Sequence, residues 1–304
     1  MPDQEQEQEV HLIVNPTAGR GRAKREIAAV RDSLAKLTEF SFHETHYRGE
    51  AREIAAQLPD AALILSLGGD GTLNEIAHSC AHSKRKIGVL PAGSGDDFAK
   101  AIGISSLSEG LKLVEAFLQG GAKLQKVDSG VVRSEHETRR FVNTVGIGFD
   151  AEVGERMQRL PLFLKGQVAY LCALGIHLFV MRSVACEVRC DGESFFQGSS
   201  LFISNQNGPR TGGSFYLSPH AKVQDGLLDV VIAGRLGVLE TLVLVPQTLS
   251  GKLINHEKIF RKQARQLEIK FAEARLGHTE GELLQPSRWF GVGLEPQSLN
   301  ILMP

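Results

Sequence analysis

Leu63-Ile64-Leu65-Ser66-Leu67-Gly68-Gly69-Asp70-Gly71-Thr72-Leu73-Asn74-Glu75-Ile76 is the stretch on which the reading of this 304-residue chain turns. An apolar run ends in three glycines within four residues, and a helix-starting segment follows at once. An apolar run of that length, closed by turn residues and followed by a helix, reads as a buried parallel strand. Glycines admit positive φ and allow a ligand to approach the backbone. The unpaired N–H groups at the start of the next helix favour an anion, above all a phosphate. Asp70 sits inside the loop. A carboxylate beside phosphate is repulsive, so the reading gives it a metal ion, or that ion's water, to hold. A tight strand-to-helix turn with no ligand is the alternative for this loop taken alone.

The pattern occurs three times. His11-Leu12-Ile13-Val14 runs into Asn15-Pro16-Thr17-Ala18-Gly19-Arg20, and Ile87-Gly88-Val89-Leu90 runs into Pro91-Ala92-Gly93-Ser94-Gly95-Asp96-Asp97. Three such loops at the carboxyl ends of parallel strands line one sheet edge, where open α/β folds bind ligands. There is no GxxxxGK[ST] segment and no protein-kinase signature set.

These residues carry a resemblance. The Asn15-Pro16-x-x-Gly19 turn, the Gly68-Gly69-Asp70-Gly71-Thr72 loop and the Leu90-Pro91-x-Gly93-Ser94-x-x-Asp97-Phe98-Ala99 segment resemble the diacylglycerol kinase catalytic family. The bacterial, soluble lipid-kinase branch, diacylglycerol/sphingosine kinase-like, is the one they look most like. The resemblance runs to the carboxyl end and so covers nearly the whole chain. The glycine–aspartate loop alone is shared with NAD kinases and phosphofructokinases; the combination is more specific.

The resemblance implies an α/β plus β architecture. An amino-terminal doubly wound α/β domain of the NAD kinase/phosphofructokinase type would be followed by an antiparallel β-sandwich, with the substrate cleft between the domains. It implies a lipid kinase that uses ATP and Mg²⁺. ATP would lie among Asn15, Pro16, Thr17, Ala18, Gly19, Arg20, Thr45, Gly68, Gly69, Asp70, Gly71, Thr72 and Ser94. Glu280-Gly281-Glu282 resembles the family's Asp-Gly-Glu motif, whose glutamate is the general base, so that role falls on Glu282. Asp70 and Asp97 stand with it as catalytic residues. Lys222-Val223-Gln224-Asp225-Gly226-Leu227 resembles a structural magnesium site, with ligands from Asp225 and the carbonyls of Lys222 and Leu227, joined through water by Asp128. Three positions depart from the family pattern: Ser94 for threonine, Asp96 for asparagine and Glu280 for aspartate.

The rest of the chain bounds the reading. Formal net charge is −1, so no global field draws nucleic acid or anionic lipid. The four cysteines, Cys80, Cys172, Cys186 and Cys190, include no CxxC pair. They read as reduced residues of a cytoplasmic protein, with a peripheral place at the inner membrane face as the variant. Residues 1–9 are polar and acidic, lack a signal-peptide pattern and read as a loose tail. No uninterrupted apolar run of ~18 residues is present. The partner expected is a lipid substrate at a membrane surface, with a homodimer left open.

Residues 10–125 alternate strand and helix, with helices predicted over Ala23–Leu37, Glu50–Leu58 and Ser108–Gln119. Residues 126–304 are dominated by strand signals: Lys126–Arg133, Arg140–Ile147, Val184–Arg189, Ser200–Asn205, Leu228–Ala233, Leu267–Phe271, Trp289–Leu294 and Leu299–Leu302. The last strands are allowed to pack back near the cleft. Asp191-Gly192 and Asp225-Gly226 are turn signals. Helices over Gly166–Val180 and Gly237–Leu249 interrupt the strands. Met157–Met181 mixes helically spaced apolar residues with Arg156, Arg159 and Lys165, and reads either as a core helix or as a lipid-contacting face. Two other functions fit the loops: an NAD kinase-like phosphotransferase, and a nucleotide- or lipid-binding regulator without turnover.

Overall fold

The computed structural model describes residues 8–158, 173, 175–178, 180–252 and 255–304. They fall into two compact units, Met1–Val127 with Gln297–Pro304, and Asp128–Pro296.

The first unit runs β1 (Val10–Val14), α1 (Ala18–Ala35), β2 (Ser41–Glu44), α2 (Glu50–Gln57), β3 (Leu63–Gly68), α3 (Asp70–Cys80), β4 (Lys86–Pro91), α4 (Asp97–Ala101) and α5 (Leu107–Leu118). Its sheet is parallel. β1 lies between β2 and β3, β4 follows β3, and Asn300 and Ile301 pair in parallel with Lys86 and Ile87. All six residues of β3 are buried. That is why its sequence is a continuous apolar run and not an alternation: helices cover both faces of such a sheet. α5 starts at Ser106, whose hydroxyl accepts the Glu109 N–H at 3.2 Å. It ends near Gly120, at φ +78°. Its Leu111, Val114 and Leu118 pack with Leu12, Leu65, Leu90 and Leu302.

The second unit is an antiparallel β-sandwich. β5 (Leu124–Ser134) carries the chain into it, followed by β6 (Thr138–Phe141), β7 (Thr144–Gly148), α6 (Phe149–Gln158), β8 (Val184–Cys190), β9 (Glu193–Ser200), β10 (Phe202–Gln206), β11 (Leu228–Ala233), α7 (Val238–Gln247), β12 (Ile259–Ala264), β13 (Gln266–Thr279) and β14 (Glu282–Leu302). The strands run in the order β12-β11-β10-β7-β13-β14, with β8 pairing both β13 and β9, and β5 pairing β6. β8 alternates strictly, with Val184, Cys186, Val188 and Cys190 inward. They join Val145, Ile147, Ile203, Leu267, Ile269 and Phe290 in one core. Cys80, Cys186 and Cys190 are free and buried, and burial raises the thiol pKa of each.

Three differences from the sequence reading have physical causes. The strand expected over Arg140–Ile147 is broken into β6 and β7, because the Glu280 carboxylate takes the N–H groups of Val142, Asn143 and Thr144. β9 was not anticipated: its adjacent Phe195 and Phe196 and its Gly198 hide the period-2 signal. β12 was not anticipated either. It is an end strand carrying Arg261 and Lys262, and the cations that keep it from pairing further also mask its strand pattern. Trp289–Leu294 and Leu299–Leu302 are parts of the single strand β14. The Gly166–Val180 helix and the central part of Met157–Met181 fall on residues 159–172, 174 and 179, outside the described residues; Ala173 and Leu178 are buried. Among the described residues no helix is long and apolar enough to cross a membrane.

Candidate active site

The three glycine-rich loops of the first unit meet one another. Asn15 follows β1 and organises the first. Its Oδ1 accepts from the Thr17 N–H at 3.1 Å and the Thr17 hydroxyl at 2.7 Å. Its Nδ2 donates to Thr72 Oγ1 at 3.1 Å, tying the first loop to the second. Pro16 and Ala18 fill the turn between them, with the Ala18 N–H bonded to the Asn15 carbonyl. Gly19, Arg20 and Gly21 all have positive φ, at +56°, +60° and +78°, so the regular helix expected from Ala23 begins only after them. A Cβ on Gly19 would lie 2.2 Å from the Ala92 carbonyl oxygen. The first loop therefore closes on the third through a glycine that no larger residue replaces.

The second and third loops touch through backbone. A Cβ built on Gly69 would lie 3.1 Å from Gly93 Cα, and one on Gly93 would lie 2.5 Å from Gly69 Cα. Gly68 leaves room for the Thr72 side chain. Gly71 sits in the first turn of α3. Ser94 is exposed on the third loop, and Arg20 is exposed on the first. Thr45 lies just beyond β2 and is buried. Its backbone N–H and its hydroxyl both donate to the Val14 carbonyl, at 2.9 and 3.2 Å, which fixes it beside the Asn15 turn.

Asp70 has a use that the sequence reading did not assign. Its Oδ2 accepts the Asp97 N–H at 3.1 Å and its Oδ1 accepts the Phe98 N–H at 3.0 Å. The carboxylate of the second loop thus caps the helix that follows the third. Each oxygen keeps a second lone pair, so a metal or its water is still within its capacity. Asp97 itself is buried at the first position of α4. Asp96, just before it, is buried at φ +51° and accepts the Gly93 N–H at 2.8 Å through Oδ1. Desolvation, and then the neighbouring Asp70 charge, push its carboxyl pKa upward; the Gly93 N–H, Arg22 and Lys100 oppose that rise. Arg22 stands 3.9 Å away.

In the second unit Glu280 and Gly281 form the two-residue turn between β13 and β14, with φ of +50° and +79° and Thr279 paired to Glu282. These are the signs of a type I′ hairpin. Glu280 Oε1 accepts from Val142, Asn143 and Thr144 at 3.0, 2.7 and 3.2 Å. Glu282 opens β14, partly exposed, with Arg139 at 3.9 Å. Asp128 is fully buried on β5. Its N–H donates to the Val223 carbonyl and its Oδ2 accepts the Gly226 N–H, both at 2.8 Å. Asp225 is exposed and accepts the Leu227 N–H at 3.1 Å. Asp128 and Asp225 therefore serve one loop, Lys222 to Leu227. That oxygen-rich donor set of one side-chain carboxylate, carbonyls and a neighbouring carboxylate suits a hard cation that retains water. Among the described residues no group of three or more His, Cys, Asp or Glu is placed to hold a metal.

The chain resembles known proteins along most of its length. Residues 9–132 match the family model described as the diacylglycerol kinase catalytic domain. Residues 143–303 match the YegS C-terminal NAD kinase beta sandwich-like domain. A protein of Bacillus subtilis named diacylglycerol kinase is 29% identical over 276 residues, covering 89% of this chain and 88% of its own. One of Staphylococcus carnosus with the same name is 30% identical over 277 residues, covering 89% and 87%. The crystal structure of a diacylglycerol kinase from Bacillus anthracis superposes with a TM-score of 0.72 at 21% identity, covering 98% of this chain and 97% of that one. A yeast NADH kinase complexed with NADH superposes with a TM-score of 0.54 at 10% identity, covering 97% and 82%. These two structures speak to the fold alone.

Proposed function

We propose that this chain, which belongs to the diacylglycerol kinase family, transfers the γ-phosphate of ATP to the hydroxyl of a diacylglycerol-like or related lipid in a magnesium-dependent reaction at a membrane surface. The observation that carries the reading is the mutual contact of three small-residue loops at the carboxyl ends of β1, β3 and β4. Phosphoryl transfer is mostly positioning and charge neutralisation, and close-packed glycine loops beside exposed Arg20 suit a phosphate chain.

In this reading Asn15 to Arg20, Thr45, Gly68 to Thr72 and Ser94 cradle the nucleotide. Asp70 holds α4 and with it Asp97. Glu282 accepts the proton of the lipid hydroxyl. The hydroxyl oxygen forms a bond to the terminal phosphorus, the bond from that phosphorus to the bridging oxygen breaks, and ADP leaves. The carbonyls of Lys222 and Leu227 with Asp225 would hold a structural Mg²⁺. A divalent ion at the nucleotide supplies neutralising charge on the phosphates when bound.

The test is direct. Purified protein is incubated with ATP, magnesium and separate vesicles containing diacylglycerol, phosphatidylglycerol, a polyprenol or a sphingoid base, and products are weighed by mass spectrometry. A phosphorylated lipid is expected. Bound ATP with no phosphorylated lipid from any of them contradicts the proposal. The match of residues 143–303 to the NAD kinase beta sandwich-like domain favours one second reading, an NAD kinase-like transferase, and NAD offered as acceptor in the same assay separates the two.

A further inference from the structure

Glu280 is neither glycine, asparagine nor aspartate, yet it holds φ +50° in the turn before Glu282. A residue of that kind at positive φ persists only where its surroundings over-determine it. One restraint is the Glu280 carboxylate on the β6–β7 bend, described above. The other comes from the opposite side of the turn. The Gly281 N–H donates to His278 Nδ1 at 3.2 Å. A backbone N–H only donates, so Nδ1 is an acceptor and the ring proton of neutral His278 is on Nε2. Nε2 lies 3.2 Å from Asp150 Oδ2 on α6, close to the accepting carboxylate. Asp150 is in turn fixed through Oδ1, which accepts the Ala151 N–H at 2.9 Å.

The space for this pair is reserved. His278 pairs across β7 with Gly146. A Cβ on Gly146 would lie 2.0 Å from Asp150 Oδ2 and 2.3 Å from His278 Nε2. His278 is 7% exposed, so its polar ring is buried to make these two contacts. The arrangement joins residues 128 apart in sequence, and no short motif announces it.

We infer that the Asp150–His278 pair is the positioning element that sets the Glu280–Glu282 turn, and through it the Glu282 carboxylate, for proton abstraction from the substrate. The inference rests on the proposed role of Glu282 as base. His278 touches neither substrate nor nucleotide; it acts through the Gly281 N–H. Misplacing a reacting group by about 1 Å costs up to roughly a hundredfold in rate, so a histidine that holds the turn is visible in kcat.

The experiment uses the full chain and two replacements that divide the ring's functions. In His278→Asn the amide oxygen overlays Nδ1 and still accepts from Gly281. In His278→Gln the amide overlays Nε2, reaches Asp150 and leaves Gly281 without its acceptor. Phosphorylation of each lipid of the panel above is measured, together with hydrogen exchange at the Gly281 amide. His278→Gln is expected to lower kcat by about tenfold to a hundredfold, leave KM for ATP unchanged, and speed exchange at Gly281. His278→Asn is expected to rescue both readouts to within about threefold of the native chain. Adding His278→Gln to Glu282→Ala should cost nothing further. Native kcat and slow exchange in His278→Gln, or additive losses in the double variant, overturn the inference. If Glu282→Ala alone leaves the rate unchanged, the base assignment fails. Exchange at Gly281 then still decides whether His278 holds the turn: fast exchange in His278→Gln with slow exchange in His278→Asn supports that, and equal exchange overturns it.

Discussion

At the scale of single residues, the informative positions are those where a side chain serves the backbone of another loop. Asn15 and Thr72 are 57 residues apart, and one hydrogen bond joins their loops. Asp96 shows the cost of a charge in such a place. Its pKa is raised above the usual 3.8 by burial first and by Asp70 second. A raised carboxyl pKa means that the folded chain binds this proton more tightly than the unfolded chain. The stability Asp96 contributes is therefore complete below about pH 3.8 and is lost as pH climbs through the folded value. Asp96→Asn keeps an oxygen for the Gly93 N–H and removes the charge. The melting temperature is expected to rise at pH 7, with the gain shrinking towards pH 4. A calorimetric series across that range checks it, and a gain that is constant with pH contradicts the assigned cause.

At the scale of elements, two carboxylates decide where a helix and a strand begin. Asp70→Ala removes the acceptor for two N–H groups at the start of α4 and is expected to lower unfolding free energy by about 1–2 kcal/mol, read by urea titration. ATP affinity should fall with it, because α4 follows the third loop. Glu280→Ala strips three charge-assisted bonds from the β6–β7 bend and is expected to cost about 3 kcal/mol or more, with Glu280→Gln intermediate because it keeps an acceptor. How far the sequence reveals these elements follows from range. The continuous run Leu63–Leu67 and the alternation in Val184–Cys190 are local signals that burial imposes directly, and both strands were legible. So were the hairpin turn at Asp191-Gly192 and the glycine loops, since each needs a positive φ or a close approach that the residue type itself declares. The break between β6 and β7 was not legible, because its cause is a glutamate about 137 positions away. The capping use of Asp70 and the Asp150–His278 pair were hidden for the same reason: each is a contact that only folding creates.

At the scale of the molecule, the residues of the proposed reaction are divided between two units. One carries the parallel sheet and its three loops; the other carries the antiparallel sandwich with the Glu280–Glu282 turn and the Lys222–Leu227 loop. The chain enters the second unit along β5 and returns along β14, whose last residues extend the parallel sheet beside β4. The division makes a kinase only if Glu282 takes the proton and the loops hold the triphosphate independently of it. The decisive measurement is steady-state lipid phosphorylation by Glu282→Ala beside its ATP binding. In Glu282→Ala, kcat is expected to fall by about a hundredfold to ten-thousandfold with ATP affinity unchanged. Turnover at the native rate, or ATP binding lost together with turnover, would contradict it.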